Sequence, residues 1–250
     1  MEILQALPDY PHHWQQTLGW QPAAALQDQF QSLYQAILTA NQQVNLTRIT
    51  SPEDFWEKHL WDSLQGVAPW LPEADLPTPS RRLIDIGSGG GFPGLPIALV
   101  FPQWPVTLLD GTRKKIAILE TLCQTLAIPN ANLVAQRAEQ AGQQPGHRET
   151  YDIALLRAVG GVNTCAEYAL PLLKLGGQAV LYRGQWSVAE AEALAAILPR
   201  LGGEILEVRA TTTPLTGGIR HNVVVAKVSP TPPQFPRLPG VPTRSPLGNG

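Results

Sequence analysis

The segment Leu83-Ile84-Asp85-Ile86 runs without a break into Gly87-Ser88-Gly89-Gly90-Gly91, and a stretch of helical character begins within a few residues. Short apolar runs ahead of a glycine cluster predict a buried strand, and missing β-carbons let the backbone turn sharply and approach a ligand closely. Strand, glycine loop and helix in that order predict the first turn of a doubly wound α/β sheet, where ligands bind outside the carboxyl ends of the strands. Asp110 closes the next predicted strand, 110 minus 87 or 23 residues past the first glycine. An acid at that place accepts hydrogen bonds from two ribose hydroxyls.

The pattern repeats downstream. Strands are predicted at 82–86, 106–110, 133–135, 151–156 and 177–182, separated by helices at 95–101, 112–127, 163–173 and 187–201. Nearly continuous apolar strands between helices imply a parallel sheet covered on both faces. Two further strands in succession, 204–210 and 219–228 with Gly217-Gly218 between them, predict an antiparallel hairpin at one edge and so a mixed sheet. Ahead of this domain, residues 1–70 read as a helical extension. Leu26, Phe30, Leu33, Tyr34, Ile37 and Leu38 form one stripe of a helix, and Ser51-Pro52-Glu53-Asp54 carries the cap, proline and acids of a second helix start. Residues 71–80 hold three prolines and read as a linker, 81–228 as the main domain, and 229–250, with seven prolines in the 21 residues after Ser229, as an extended basic tail.

Both dinucleotides and adenosyl cofactors suit a glycine loop followed by an acid. The spacing here is Gly87-x-Gly89-x-Gly91, and Phe92 stands where the dinucleotide form wants a third glycine or alanine. Asp85 is a poor neighbour for a pyrophosphate but a good one for the sulfonium and ammonium of S-adenosylmethionine. No Tyr-x-x-x-Lys follows to run a hydride transfer, so the loop favours a methyl donor.

The stretch 83–96, Leu-Ile-Asp-Ile-Gly-Ser-Gly-Gly-Gly-Phe-Pro-Gly-Leu-Pro, resembles the first motif of the bacterial glucose-inhibited division protein B family. The likeness extends through Asn45-Leu46-Thr47, His59-x-x-Asp62-Ser63, Asp110-Gly111-Thr112-Arg113-Lys114-Lys115, Arg137-Ala138-Glu139, Arg157-Ala158, Tyr182-Arg183-Gly184 and Arg220-His221, covering residues 41 to 228. Arg183 departs from it, since the family usually carries Lys there. The resemblance implies a Rossmann-like S-adenosylmethionine-dependent methyltransferase acting on guanine N7 in 16S ribosomal RNA. It also implies that Gly87, Phe92, Asp110, Gly111, Thr112, Ala138, Glu139 and Arg157 line the cofactor site, with Asp85, Ser88, Gly89 and Gly91 as the rest of the loop. A small-molecule methyltransferase, or a non-catalytic assembly factor binding cofactor and RNA, stand as the rival readings.

Guanine N7 offers an in-plane lone pair and carries no proton, so neither a general base nor a covalent cysteine is required. Positioning residues are expected instead: Arg137, Arg157 and Arg220, each near the carboxyl end of a predicted strand or in the edge connection. Burial of Arg157 between Leu155-Leu156 and Ala158-Val159 without a ligand would be costly, which favours a functional role. Arg113, Lys114, Lys115, Arg183, Arg220 and His221 are the expected RNA contacts. No acid follows Glu207, whereas Arg209, Arg220, Lys227, Arg237 and Arg244 do, so the tail is a candidate to embrace RNA. Glu139 is read as the partner of an adenine amino group. His59, Asp62 and Ser63 share a helix face and are read as a hydrogen-bonded junction with the sheet, with Trp56 and Trp61 packing in it.

Charged residues make up only 15% of the chain and the formal charge is -2, which excludes a uniformly basic coat but leaves a local basic patch open. Two cysteines, Cys123 and Cys165, with no His or Cys at ligand spacing, exclude a tetrahedral metal centre and read as small buried hydrophobes. Residues 1–13 lack a signal pattern, and prolines at 96, 102 and 105 break the most apolar stretch, so a cytoplasmic location away from membranes is expected. Nothing in the sequence demands more than a monomer.

Overall fold

In the computed structural model, which describes residues 6–73 and 79–248, the strands form one seven-stranded sheet. They are β1 (Leu83–Ile86), β2 (Val106–Leu109), β3 (Ala131–Val134), β4 (Tyr151–Arg157), β5 (Leu173–Arg183), β6 (Gly203–Thr212) and β7 (Ile219–Lys227), in the order β3-β2-β1-β4-β5-β7-β6. The first five are parallel, and β7 runs antiparallel to both β5 and β6. The chain winds outward from β1 to β3, then returns to the other side of β1 as β4. Between β1 and β4 lies the topological switch point, where such sheets open a crevice. A register shift between Ile205 and Glu207 puts a bulge in the edge strand β6.

Helices cover both faces. α1 (Pro11–Leu18) and α2 (Ala24–Asn41) lead into a continuous helical run of α3 (Pro52–Phe55), a π-helical stretch Trp56–Trp61 and α4 (Asp62–Gln65). Ser51 caps this run by accepting the Asp54 N–H, as its sequence predicts. A 3₁₀ segment, Ala68–Glu73, extends into what the prolines mark as a linker, and residues 74–78 of that linker lie outside the described residues. The wound units supply α5 (Gly94–Val100), α6 (Arg113–Thr125), α7 (Ala138–Ala141), α8 (Val162–Ala169) and α9 (Val188–Leu201), and α10 (Val241–Arg244) follows the sheet.

The hydrophobic core is split by the sheet. One side joins Trp14, Phe30, Ile37, Trp56, Trp61 and Leu64 to Leu95, Leu119, Val106 and Ile153, so the N-terminal helices share a core with α5, α6 and the sheet. The other side packs α8 and α9 against Ile84, Ala154, Leu181 and Val223. Trp56 and Trp61 are buried in the first core, and both cysteines are buried.

The segment after Ser229 departs from the extended tail that its prolines imply. Phe235 and Leu247 are buried in the second core, and α10 sits beside α8. The Arg148 guanidinium donates to the carbonyls of Phe235 and Thr231 at 2.7 Å each and of Gly142 at 2.9 Å. Gln143 Nε2 donates to the Pro236 carbonyl at 2.8 Å. Prolines lack donors of their own, yet their stretch offers carbonyls, and neighbouring side chains supply the hydrogens.

A buried carboxylate joins the first helices to the sheet edge. Glu57 accepts the N–H groups of Leu215 and Thr216 at 2.6 and 3.0 Å on Oε1, and the Thr216 hydroxyl at 2.6 Å on Oε2. Removing the carboxylate leaves two N–H groups without their acceptor. Glu57→Ala is expected to lower unfolding stability by about 2–4 kcal/mol, read from urea denaturation; an unchanged midpoint would show that the hairpin connection is not held this way.

Candidate active site

The crevice at the switch point is a cleft of about 470 Å³ at the carboxyl ends of β1, β2 and β4. Gly87, Ser88, Gly89 and Gly90 form one wall. Gly87 has φ of 76°, and a β-carbon there would stand 2.9 Å from Val159 Cγ2, another cleft residue. A side chain at Gly87 would therefore strain the loop and displace Val159 from the cleft wall, so the glycine is required by the fold as well as by any ligand. A β-carbon on Gly90 would meet the Leu46 carbonyl at 2.9 Å, which explains how the 45–47 loop closes over the glycines. That loop is held by Asn41, whose Oδ1 accepts the N–H groups of Leu46 and Thr47 at 2.7 and 3.0 Å.

Asp110 stands at the rim with both oxygens oriented by backbone. Oδ2 accepts the Gly89 N–H at 3.0 Å and Oδ1 the Thr112 N–H at 2.7 Å. Each oxygen keeps a further lone pair for a hydroxyl, the arrangement a ribose needs. Three residues expected at the cofactor do not line the cleft: Thr112, exposed just ahead of α6, donates its N–H to Asp110, while Gly91 packs on Leu95 and Leu119 and Asp85 is buried beneath the loop. Asp85 Oδ2 accepts the Gly94 N–H at 2.9 Å, while Oδ1 has no partner among the described residues. Burial pushes the Asp85 carboxyl up to about 7.

Arg157 ends β4 and faces the cleft, followed by Ala158 at φ 57°, a left-handed conformation rare for a residue with a β-carbon and typical of functional sites. Its Nη1 donates to Asp62 Oδ2 at 2.8 Å and to the Lys58 carbonyl at 2.9 Å. The buried charge is thus paired within the protein, so burial alone does not demand a ligand. Asp62 Oδ1 receives Arg220 Nε at 3.2 Å. Arg157 lies 5.9 Å from the centre of the Phe92 ring, which stacks on His59 at 4.1 Å. Burial, followed by the Arg157 charge, lowers His59 to about 3, so the ring is neutral. With Arg157 Nη2 3.4 Å from Nδ1, that nitrogen is the acceptor, and Nε2 carries the hydrogen toward Thr47 Oγ1 at 2.7 Å. His59, expected only as a junction residue, both joins the helices to the sheet and lines the cleft.

Arg137 and Arg157 both line the cleft, while Arg220 and Arg183 stand outside it. Arg157 and Arg220 share Asp62, but Arg137 pairs with Glu139 at 3.3 Å and Arg183 with Glu190 at 2.7 Å. Arg183 also donates to the Gly160 carbonyl at 2.9 Å, so it ties β5 to α9 and to the loop after β4. Arg113 and Lys114 are exposed on the first turn of α6, and Lys115 reaches the cleft. His221 Nδ1 lies 3.0 Å from the Gly184 carbonyl, in an open groove with Trp186 and Arg220. Glu139 lines the cleft, but its Oε1 already accepts the Gly240 N–H at 2.8 Å and the Tyr168 hydroxyl at 3.1 Å. Leu46, Gln136 and Val159 line the cleft beside or within the quoted motifs, whereas Tyr168 and Thr243, which no motif marks, are brought there by the tertiary fold.

Among the described residues no group of His, Cys, Asp or Glu is arranged to hold a metal ion, and no helix is long and apolar enough to cross a membrane. A sequence model of the family described as rRNA small subunit methyltransferase G matches residues 26–217. A ribosomal RNA small subunit methyltransferase G from Nostoc punctiforme is 54% identical over 241 residues, covering 96% of this chain and 98% of its own length. The chain belongs to this family. A relative of the same name from Trichodesmium erythraeum is 49% identical over 244 residues, covering 98% and 96%. Among solved structures, a 16S rRNA (adenine(1408)-N(1))-methyltransferase variant from Catenulisporales acidiphilia superposes with a TM-score of 0.53 at 14% identity, over 66% of this chain and 92% of that one. That likeness shows the Rossmann-like methyltransferase fold.

The neutral His59 gives a pH signature. A histidine whose folded pKa is depressed contributes stability that is full above 6.5 and lost as pH falls toward about 3. Thermal melts across that window should show wild type losing more stability than His59→Gln; parallel slopes would contradict the burial of a neutral ring.

Proposed function

We propose that this chain methylates N7 of a guanine in 16S ribosomal RNA with S-adenosylmethionine as donor, acting as a cytoplasmic monomer on the RNA or the small subunit. The observation that carries the reading is the cleft at the switch point, bounded by the glycine wall and Asp110 and reached by Arg157. Its residues fit the donor. Asp110 takes the ribose hydroxyls, and the Gly87–Gly89 backbone allows close approach. Gly111, Ala138 and Glu139 border the nucleobase end, with Phe92 beside His59 toward the other.

When bound, S-adenosylmethionine supplies an electrophilic methyl group on sulfur. Guanine N7 brings the electron pair and has no proton to lose, so the protein's task is alignment. This chain's residues suit that task and little else. His59 is neutral with Nδ1 turned to Arg157, and the Cys123 and Cys165 thiols are raised by burial to about 11 and about 12 and lie away from the cleft. Neither cysteine is poised to attack a pyrimidine ring. Arg157, fixed by Asp62 and the Lys58 carbonyl, orients the target base; Arg220 steadies the same carboxylate. Lys115, the exposed Arg113 and Lys114, and the groove of Trp186, Arg220 and His221 border the approach for RNA.

Transfer of tritiated methyl to deproteinised 16S RNA and to small subunits from a strain lacking the enzyme tests the reading. Labelled 7-methylguanosine is the expected product, and cofactor binding without any labelled nucleoside would overturn it. Arg157→Lys keeps a charge for Asp62 but loses the planar fork, so kcat should fall by at least about tenfold while the melting temperature holds. Asp110→Asn offers one acceptor where two N–H groups need one each, and should weaken S-adenosylmethionine binding by at least about tenfold in calorimetry.

A further inference from the structure

The segment after Ser229 reaches the cleft, and its anchors lie outside it. Arg237 forks onto the fully buried Glu167, Nη2 to Oε2 at 2.7 Å and Nε to Oε1 at 2.9 Å, and the Arg237 N–H also reaches Oε1 at 2.9 Å. Further along, Thr164 Oγ1 donates to the Pro242 carbonyl at 2.9 Å and Asn163 Nδ2 to the Leu247 carbonyl at 2.7 Å. These bonds fasten the segment along α8 and carry the turn at Gly240 to the start of α7. There the Gly240 N–H meets Glu139, and the Tyr168 hydroxyl bridges Glu139 Oε1 and Thr243 Oγ1, at 3.1 and 3.3 Å. Thr243 itself lines the cleft.

The sheet order says which end of the cleft this is. Going from β4 through β1 to β2, the cleft passes Arg157, the glycine wall and Asp110, and beyond Asp110 it ends at Gln136, Ala138 and Glu139 after β3. With the ribose at Asp110 and Arg157 at the reacting end, the far end is the place for the nucleobase. The segment lies beyond residue 217, where the family match stops.

Resting on the function proposed above, we infer that residues 230–248 form a wall at the nucleobase end of the cleft and set the affinity for the adenosyl part of the cofactor. The wall acts in two ways. Thr243 supplies a polar surface to the cleft, and Gly240 holds Glu139 in the orientation from which it faces a base. Tyr168 couples the two, so a shift of the segment is felt by both. Arg237 is a positioning residue: it touches no part of the cleft and acts through the turn that it anchors.

The test uses the full chain and titrates S-adenosylhomocysteine by calorimetry, since this compound carries the adenosyl group without a transferable methyl. Arg237→Ala should raise Kd for it, and KM for S-adenosylmethionine, by at least about fivefold. Turnover at saturating donor should stay within about twofold of wild type, and Arg237→Lys should recover most of the affinity. Thr243→Trp, at an exposed position, should weaken binding by a similar factor with no change in melting temperature, which keeps the test sound should Arg237→Ala misfold. Wild-type affinity in both Arg237→Ala and Thr243→Trp would overturn the inference alone. A wild-type chain that binds no S-adenosylhomocysteine would overturn the proposed function and this inference with it.

Discussion

Asp62 holds two guanidinium groups that arrive from strands separated by β5, Arg157 from the end of β4 and Arg220 from the start of β7. Taking one carboxylate and two cations out of water is costly, and removing any member would strand the others. The arrangement fixes where the N-terminal helical run can sit on the sheet. From it the rest of the reactive end follows. Arg157 reaches the Lys58 carbonyl and His59, His59 stacks on Phe92 and bonds Thr47, and Asn41 clamps the loop that carries Leu46 and Thr47. The π-helical stretch lies in the middle of this chain of contacts, where helical irregularities commonly serve function. The helical extension is accordingly a structural part of the cleft, not an appendage to it.

Much of this was legible in the sequence because it rests on local rules. The five parallel strands announced themselves as short apolar runs, Ser51-Pro52 marked a helix start, and Gly217-Gly218 marked the edge hairpin. The glycine loop and Asp110 were readable because their function depends on spacing along two adjacent strands. Short elements escaped: α1 shows only Trp14 and Leu18 as its buried stripe, and α7 and α10 are single turns.

Side-chain pairings were harder, since charge partners are set by the tertiary fold. Arg157 looked unpaired because Asp62 is 95 residues away, and Glu139 looked free because Gly240 is 101 residues away. Arg183 is the instructive exception. Its partner Glu190 lies seven residues on, in the Ser187-x-x-Glu190 capping box of α9, so the local pattern held the clue. The proline-rich segment misled for a different reason. Composition reports how few donors and apolar groups a segment owns, but it is silent about donors waiting elsewhere, and Arg148, Gln143, Asn163 and Thr164 were waiting on the domain.

The bulge in β6 has a bearing on how the protein lives in a crowded solution. β6 is an outer strand, with Leu206 and Val208 exposed on it, and a flat strand of that kind would offer a row of free N–H and carbonyl groups to any passing chain. The extra residue between Ile205 and Glu207 breaks that row and deepens its twist, while Glu204, Glu207 and Arg209 add charge along it. The bulge disfavours continuation of the ladder by a second molecule across this point. The edge that carries the exposed Leu206 and Val208 is thus a poorer template for an added strand than a flat one would be.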